Sequence, residues 1–202
     1  MHLDYKKILA FLFPLSGDEK QIESLTPESF IADHSFVQTD IATTLLAFSD
    51  PKVRAAIHLT KFHNHTHAKA LLAYALVHHV TQFGNQDELY IPIPLSKKRK
   101  RERGYNQVEQ ILSVAQKQQS SLLYDTTILK RQRHTPAQTK LSRKERLENL
   151  VDAFAVTTPE KITGMHIVIL DDVYTTGATL RAAKAALLPH HPASITCIAL
   201  AH

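Results

Sequence analysis

The stretch HIVILDDVYTTGATLRAA, from His166 to Ala183, constrains the fold of this chain more than any other. An apolar run ends in two adjacent aspartates, Asp171 and Asp172, and a short turn with one glycine leads into a segment with helical spacing. This order predicts a buried strand, a polar turn and a helix. Other apolar strands alternate with helices through the second half of the chain, which predicts an α/β fold: a mostly parallel sheet of about five strands flanked by helices on both faces.

The turn after the two aspartates has the composition of an anion site. Its residues are Thr175, Thr176, Gly177, Ala178 and Thr179. Amide groups at the start of a helix lack partners within the helix and attract phosphate, and a glycine lets a ligand approach the backbone closely. Two carboxylates would repel a phosphate, so we expect Asp171 and Asp172 to face vicinal hydroxyls or Mg²⁺. Together these features favour a ribose 5-phosphate as the ligand.

The segment VILDDVYTTGATL resembles, without a gap, the motif of type I phosphoribosyltransferases that binds phosphoribosyl diphosphate (PRPP). The resemblance implies the type I phosphoribosyltransferase fold with an N-terminal hood, and Mg²⁺ as cofactor. It also implies that Asp171 and Asp172 are the catalytic acids, which bind the ribose 2- and 3-hydroxyls, and that residues 175–179 bind the 5-phosphate. A fortuitous strand, turn and helix is the alternative explanation, because a motif match remains a hypothesis.

A second feature is the basic run from Lys97 to Arg103, in which six of seven residues are Lys or Arg. The run lies within residues 91–150, which contain 14 Lys or Arg against 5 Asp or Glu, although the whole chain has a net charge of only +5. Such a concentration of positive charge indicates an anionic partner. The charges alone leave four alternatives open: a nucleic-acid patch, a solvated surface, a targeting signal, or a loop that holds diphosphate.

The sequence around the basic run narrows these alternatives. IPIPL before it and RGYNQ after it resemble the PVPL and RGFNQ stretches of the ComF (competence protein F) family of phosphoribosyltransferases. The resemblance covers about residues 50–202. Further residues typical of that family follow in the same order: Arg131, Arg133, Thr135, Gln138, Leu141, Arg146, Asn149 and Phe154.

This resemblance implies roles for six cations. A diphosphate is strongly anionic, and the planar fork of arginine suits phosphate oxygens. The residues implied to bind the diphosphate are Lys97, Arg99 and Arg103. A mobile loop over the site is implied for residues 131–144, with Arg131, Arg133 and Arg143 as its arginines.

The chain also departs from the ComF pattern. Members commonly begin with a four-cysteine zinc module, whereas the single cysteine here is Cys197, in the apolar run SITCIAL. We therefore expect no zinc module and a buried thiol at Cys197.

Residues 1–40 are interpreted as an N-terminal extension or hood segment, and residues 41–202 as the phosphoribosyltransferase-like domain. Helical spacing of apolar residues predicts a helix over Thr39–Asp50, and the basic run is expected to be a loop.

Three alternating histidines, His63, His65 and His67, are a candidate metal group because alternating residues of a strand share a face. The stretch lies between two predicted helices, so loop histidines are the simpler interpretation and no metal ligand is assigned. No stretch is apolar over the roughly 20 residues that a membrane span requires, and no signal peptide is recognised. These observations favour a cytoplasmic protein.

The sequence thus predicts a protein that binds PRPP and Mg²⁺ and transfers the phosphoribosyl group, with release of diphosphate, to an acceptor that no motif identifies. The ComF resemblance also implies a link to DNA uptake in natural competence. The alternative is therefore a non-catalytic accessory protein that senses PRPP or handles single-stranded DNA, with the DNA-uptake machinery as partner. Single-strand binders interleave aromatic and basic residues, and the basic run has only Tyr105 nearby. The oligomeric state stays open, with a homodimer as one alternative.

Overall fold

The computed structural model of the protein describes residues 21–85, 87–132 and 153–202. The strands in these residues are β1 (Val37–Gln38), β2 (Thr43–Leu46), β3 (Glu88–Pro92), β4 (Leu123–Tyr124), β5 (Leu129–Arg131), β6 (Phe154–Val156), β7 (His166–Val173) and β8 (Ser194–Ala201). Six of them form one sheet in the spatial order β1-β2-β8-β7-β3-β4. Only β1 and β2 pair antiparallel in this sheet, and every other neighbouring pair is parallel. The mostly parallel α/β architecture predicted from the sequence is therefore confirmed, with six strands rather than five.

The helices in the same residues are α1 (Pro27–Ile31), α2 (Pro51–His58), α3 (Thr66–Phe83), α4 (Lys97–Arg103), α5 (Gln107–Gln118) and α6 (Ala178–Leu187). A five-residue π-helix, Leu59–His63, follows α2 directly and is called the π-turn below. Helix α2 begins with a proline at its first position, and the Asp50 carboxylate accepts a hydrogen bond from the Lys52 amide (2.8 Å). Proline costs nothing there because the first amides of a helix have no partner within it. None of these helices is long and apolar enough to cross a membrane.

Two hydrophobic cores lie on opposite faces of the sheet. Strand β7 contributes to both because successive side chains of a strand point to opposite faces. Val168 and Leu170 pack with α2, α3 and α5, whereas Ile167 and Ile169 pack with α6 and with the hairpin of β5 and β6. This explains the continuous apolar run before the two aspartates, since both faces of the strand are covered.

The helix predicted over Thr39–Asp50 is wrong. Residues Thr43–Leu46 form β2 instead, which pairs in parallel with β8 through Thr43 with Ile198 and Leu46 with Ala201. Apolar residues at positions 42, 45 and 46 match helical spacing, but a short apolar run fits either element. Two adjacent β-branched threonines favour the strand, and its partner lies some 150 residues away in sequence, where local spacing gives no information.

The loop expected for the basic run is also wrong, because Lys97–Arg103 forms helix α4. The Ser96 hydroxyl caps the helix by accepting a hydrogen bond from the Arg99 amide (3.3 Å), and Gly104 ends it in the left-handed region at φ +80°. Lys98 and Glu102 are an ion pair one turn apart (3.9 Å). Lysine and arginine are good helix formers, so a short capped helix tolerates this charge.

Strands β5 and β6, which lie on either side of residues 133–152 in the sequence, form a separate antiparallel hairpin. Asp125 fixes the entry to this hairpin: its carboxylate accepts hydrogen bonds from the Thr127 amide (2.7 Å) and from Lys161 Nζ (2.7 Å). Burial acts to raise the pKa of Asp125, but these hydrogen bonds outweigh burial and lower it. The hairpin is thereby held beside the carboxyl end of the sheet.

The residues before the sheet take part in its core. Ile22 and Phe30 are buried against the α3 side of the sheet. The division of the chain at residue 40 stays a prediction.

At the other end of the chain, the expectation for Cys197 is confirmed: the thiol is buried, and this burial raises its pKa to about 11.

Candidate active site

Asp171 and Asp172 are among the last residues of β7, where Asp171 pairs with Ala199 and Val173 pairs with Ala201. In a parallel α/β sheet this carboxyl edge is where ligands bind. Adjacent residues of a strand point to opposite faces, so Asp172 continues the side of Leu170 and Asp171 continues the side of Ile169. The two carboxylates therefore face different layers of the protein.

Asp172 faces the layer that contains the π-turn and α5. Its Oδ2 atom forms an ion pair with Lys61 Nζ (3.0 Å) and accepts a hydrogen bond from Gln107 Nε2. Only 12% of the Asp172 side chain and 20% of the Lys61 side chain are exposed. The carboxylate is thus held by two donors on one oxygen.

Asp171 faces the layer that contains the hairpin. Its Oδ1 atom accepts a hydrogen bond from the Asp172 amide (2.9 Å). Burial raises the pKa of Asp171 to about 7, and the neighbouring Asp172 carboxylate adds to the rise, while Lys61 and Arg131 act against it. The guanidinium of Arg131, at the end of β5, lies 5.4 Å from the centre of the Phe154 ring and balances part of the negative charge of Asp171.

The polar turn leads from β7 into α6 as predicted. Gly177 takes the left-handed conformation (φ +69°) and is the residue before the first turn of α6. Thr175 and Thr176 are exposed, and the Ala178 amide donates to the Thr176 hydroxyl (3.4 Å). The remaining amides at the start of α6 can donate to an anion, which is the chemistry expected for residues 175–179.

A contact that the sequence analysis missed supports this turn from outside. Asp40, in the connection between β1 and β2, accepts hydrogen bonds from the Tyr174 hydroxyl (2.6 Å) and from Arg181 Nη1 (2.7 Å). These bonds hold the pKa of Asp40 below its usual value. Arg181 also donates to the Thr176 carbonyl (3.1 Å). A lone aspartate in a connection has no sequence signal for such a role.

The stretch RGYNQ connects α4 to the acidic pair and to the π-turn. Arg103 Nη1 donates to Gln107 Oε1 (3.2 Å), which orients the amide that binds Asp172. The Tyr105 hydroxyl donates to the Thr60 carbonyl (2.8 Å) and accepts from the Asn64 amide (2.9 Å). Asn106 caps α5 and donates to the Ile93 carbonyl (3.0 Å) at the end of β3. Each side chain therefore positions a part of the site.

The predicted diphosphate cations divide between two sides of α4. Arg99 and Arg103 are four residues apart and share one side, whereas Lys97 lies on the opposite side. Burial lowers the pKa of Arg103, and the nearby charge of Arg99 lowers it further. The same two effects lower the pKa of Arg131. Arg99, Arg103 and Arg131 therefore belong to one group beside the acidic pair; the diphosphate role of these residues and of Lys97 stays a prediction.

The rest of the predicted mobile loop, including Arg133 and Arg143, lies outside the residues that the structure describes. Lys61 is the functional candidate that the sequence analysis missed. No motif marked it, because the π-turn that directs it toward Asp172 has no recognised sequence pattern.

The histidines considered as metal ligands have other partners. His65 caps α3 by accepting from the Ala68 amide (3.2 Å) and pairs with Glu23 (2.7 Å). His67 Nε2 lies 2.9 Å from the Leu25 carbonyl. Both side chains thereby attach the segment before β1 to α3. Among residues 21–85, 87–132 and 153–202, no group of three or more His, Cys, Asp or Glu side chains is arranged to hold a metal ion.

Comparison with known proteins shows the family to which this fold and site belong. Residues 72–202 match the phosphoribosyl transferase domain, and they include β3, β7, the polar turn and α6. The chain belongs to this family and, within it, to the ComF group of type I phosphoribosyltransferase-like proteins.

Relatives of the chain are named as DNA utilization or competence proteins. The chain is 31% identical over 158 residues to the DNA utilization protein YhgH of Salmonella typhimurium. The aligned residues cover 75% of this chain and 68% of that protein. It is 40% identical over 98 residues to competence protein F of Haemophilus influenzae, covering 46% of this chain and 41% of the relative. Competence protein ComFC of Bacillus subtilis is 36% identical over 103 residues, which is 48% of this chain and 37% of that protein. The ComF resemblance inferred from the motifs is confirmed.

Proposed function

We propose that the protein binds PRPP with Mg²⁺ and transfers its phosphoribosyl group to an acceptor with release of diphosphate. The observation that carries this proposal is the acidic pair at the end of β7, followed at once by the glycine turn and the amides of α6. An anion site and a diol site are thereby only a few residues apart. Three arginines lie near the acidic pair: Arg99, Arg103 and Arg131.

In this proposal the chain acts by positioning and by charge. Residues 175–179 bind the 5-phosphate through amide and hydroxyl donors, and the oxygens of Asp171 and Asp172 accept hydrogen bonds from the ribose hydroxyls. The C1–O bond to diphosphate breaks with its electron pair on the departing oxygen, and an acceptor lone pair forms the new bond to C1. The arginines stabilise the charge that develops on the diphosphate.

The acidic pair also fits a divalent cation. Carboxylate oxygens are the ligands that Mg²⁺ prefers, and two carboxylates are adjacent at the end of β7. When bound, Mg²⁺ supplies additional neutralisation of the diphosphate. We assign to Asp171 the uptake of the proton that the acceptor loses, because burial raises the pKa of this carboxyl to about 7 and such a group exchanges protons readily at neutral pH.

The proposal is tested by titrating PRPP and MgCl₂ into the purified protein by calorimetry. We expect binding in the wild type, and none in the Asp171→Asn/Asp172→Asn variant, because an amide is a poorer acceptor and carries no charge for Mg²⁺. The matched control is Asp33→Asn, which removes an exposed acid before β1. Absence of PRPP binding in the wild type would contradict the proposal; where binding is seen, diphosphate release with candidate acceptors tests turnover.

A second candidate function is the handling of single-stranded DNA without turnover. Helix α4 exposes Lys100 and Arg101, and Arg101 lies on the side opposite Arg99 and Arg103, so its charge does not face the acidic pair. The name of the YhgH relative, DNA utilization protein, supports DNA as a ligand. Exposed cations that neutralise phosphates give binding that weakens steeply with salt.

This candidate predicts that a fluorescent oligodeoxynucleotide binds with an affinity that falls between about 50 and 200 mM salt. The variant Lys100→Ala/Arg101→Ala should bind more weakly and with a shallower salt dependence, whereas Asp171→Asn/Asp172→Asn should bind as the wild type does. Equal oligonucleotide affinity in the wild type and the α4 variant would exclude this surface.

A further inference from the structure

The π-turn places one cation directly against the acidic pair. Lys61 lies in the middle of this turn, and its Nζ atom contacts Asp172 Oδ2 at 3.0 Å. A π-helix is rare and occurs frequently at functional sites. Widening one turn of a helix also redirects the side chains in it. Lys61 therefore has a position that an ordinary continuation of α2 would not give it.

The turn is fixed by side chains from two other places in the chain. Tyr105 bridges the Thr60 carbonyl and the Asn64 amide, the two main-chain groups on either side of Lys61 in the turn. Asn64 ends the turn in the left-handed region (φ +53°), and its Oδ1 atom accepts a hydrogen bond from Lys69 Nζ (3.0 Å). Such support indicates that the direction of Lys61 is part of the construction of the site.

The charges at this point compete. Two adjacent carboxylates repel each other and also repel an anionic ligand, unless a cation lies between them and that ligand. Lys61 supplies one positive charge on the Asp172 side, and Gln107 supplies a neutral donor to the same oxygen. A divalent cation that binds Asp172 either displaces the Lys61 ammonium from Oδ2 or binds the other oxygen of the carboxylate with that ammonium close by, and in both cases the two positive charges repel each other.

We propose that Lys61 is a built-in counter-ion of the acidic pair, which competes with a divalent cation for Asp172 and keeps the pair compatible with an anionic ligand before that cation arrives. This rests on the proposed function only in taking the acidic pair as the ligand site. Lys61 is a positioning residue in this sense: it acts on the ligand through Asp172. Removal of the Lys61 charge is therefore expected to raise the affinity of the protein for the metal and to lower its affinity for PRPP in the absence of metal.

The test uses Lys61→Met, which keeps the length of the side chain and removes its charge, and Lys61→Arg, which keeps the charge. Mn²⁺ binding to the ligand-free protein is measured by electron paramagnetic resonance, and PRPP binding is measured by calorimetry in EDTA. We expect Lys61→Met to bind Mn²⁺ about tenfold more tightly than the wild type, and PRPP in EDTA about tenfold more weakly, because one close charge is lost. Lys61→Arg should stay near the wild type in both.

The control is Lys117→Met, which removes the same charge on α5 about 15 Å along the helix from Gln107 and should change neither affinity. Equal Mn²⁺ affinity in the wild type and Lys61→Met would overturn the inference. Failure of the proposed function is distinguishable, since the wild type would then not bind PRPP with Mg²⁺ at all, while the Mn²⁺ comparison would still report on Lys61.

If Lys61→Met does not fold, the wild type gives an independent measurement. Magnetic resonance of ¹⁵N-labelled lysine side chains, with the signal assigned by its loss in Lys61→Arg, follows the Lys61 ammonium during a Mg²⁺ titration. We expect its shift to change before that of any other lysine. A Lys61 signal that does not respond to Mg²⁺ bound by the protein would also overturn the inference.

Discussion

Gly177→Ala is expected to lower the free energy of unfolding by about 2–5 kcal/mol and to abolish PRPP binding. Two costs add at this position. The backbone is in the left-handed region (φ +69°), and an added Cβ would lie 2.7 Å from Ile41 Cγ2 and 2.9 Å from the Tyr174 ring. The ring cannot move aside freely, because its hydroxyl is bonded to Asp40. Relief of the clash must move the turn that is proposed to bind the 5-phosphate.

Gly164→Ala is the matched control for this prediction. Gly164 has nearly the same backbone conformation (φ +74°), but an added Cβ would meet nothing within 4 Å. It should therefore cost only about 1 kcal/mol, the price of the left-handed conformation alone, and leave PRPP binding unchanged. Urea denaturation and calorimetry of both variants separate strain from steric overlap. Equal losses of stability in the two variants would contradict the contact between Gly177, Ile41 and Tyr174.

Gln107→Met is expected to destabilise the protein by about 2–4 kcal/mol, because it breaks hydrogen bonds to two charged groups at once. The Gln107 amide donates to Asp172 and accepts from Arg103 (3.2 Å), and the residue is only 4% exposed. Methionine matches glutamine in length and helix propensity, so the change isolates these polar contacts. We also expect weaker PRPP binding, since Asp172 loses one of the two donors that orient it.

Gln110→Met, one turn farther along α5, serves as the control for Gln107→Met. Gln110 accepts one hydrogen bond, from Lys69 Nζ (3.2 Å), and is partly exposed. Lys69 keeps its bond to Asn64, so the loss of stability should be no more than about 1 kcal/mol. Thermal and urea denaturation of the two variants give the comparison. A loss at Gln110 as large as that at Gln107 would show that the contact with Asp172 has no special weight.

The parts of the fold that sequence reasoning predicted are those with a local cause. The strand, turn and helix around Asp171 follow from one apolar run, one glycine and one segment of helical spacing, all within about twenty residues. The two wrong predictions have different causes: the first depended on a partner that is distant in the sequence, and the second overlooked capping residues that flank the basic run. Thr43–Leu46 is a strand because β8 lies beside it, and Lys97–Arg103 is a helix because Ser96 and Gly104 cap it.

The residues of the candidate site likewise divide into those that sequence reasoning found and those that it missed. The acids and the turn that follows them were found because a single stretch contains both. Lys61, Gln107 and Asp40 contact that stretch across long distances in the sequence, and their residue types are common in any surface or helix. Their roles follow from which oxygen or ring each one contacts, and only the fold determines those contacts.

The opposite directions of Asp171 and Asp172 have a consequence for how the protein can diversify. The surroundings of Asp171 come from the hairpin, and those of Asp172 come from the π-turn and α5. The turn proposed to bind the phosphate depends on a third group of contacts, around Asp40. Substitutions in one layer can therefore change what the site accepts without disturbing the anchor for the phosphate. A ligand that binds both carboxylates in turn fastens the two layers to each other, so its binding is expected to slow hydrogen exchange in β5 and in the π-turn together.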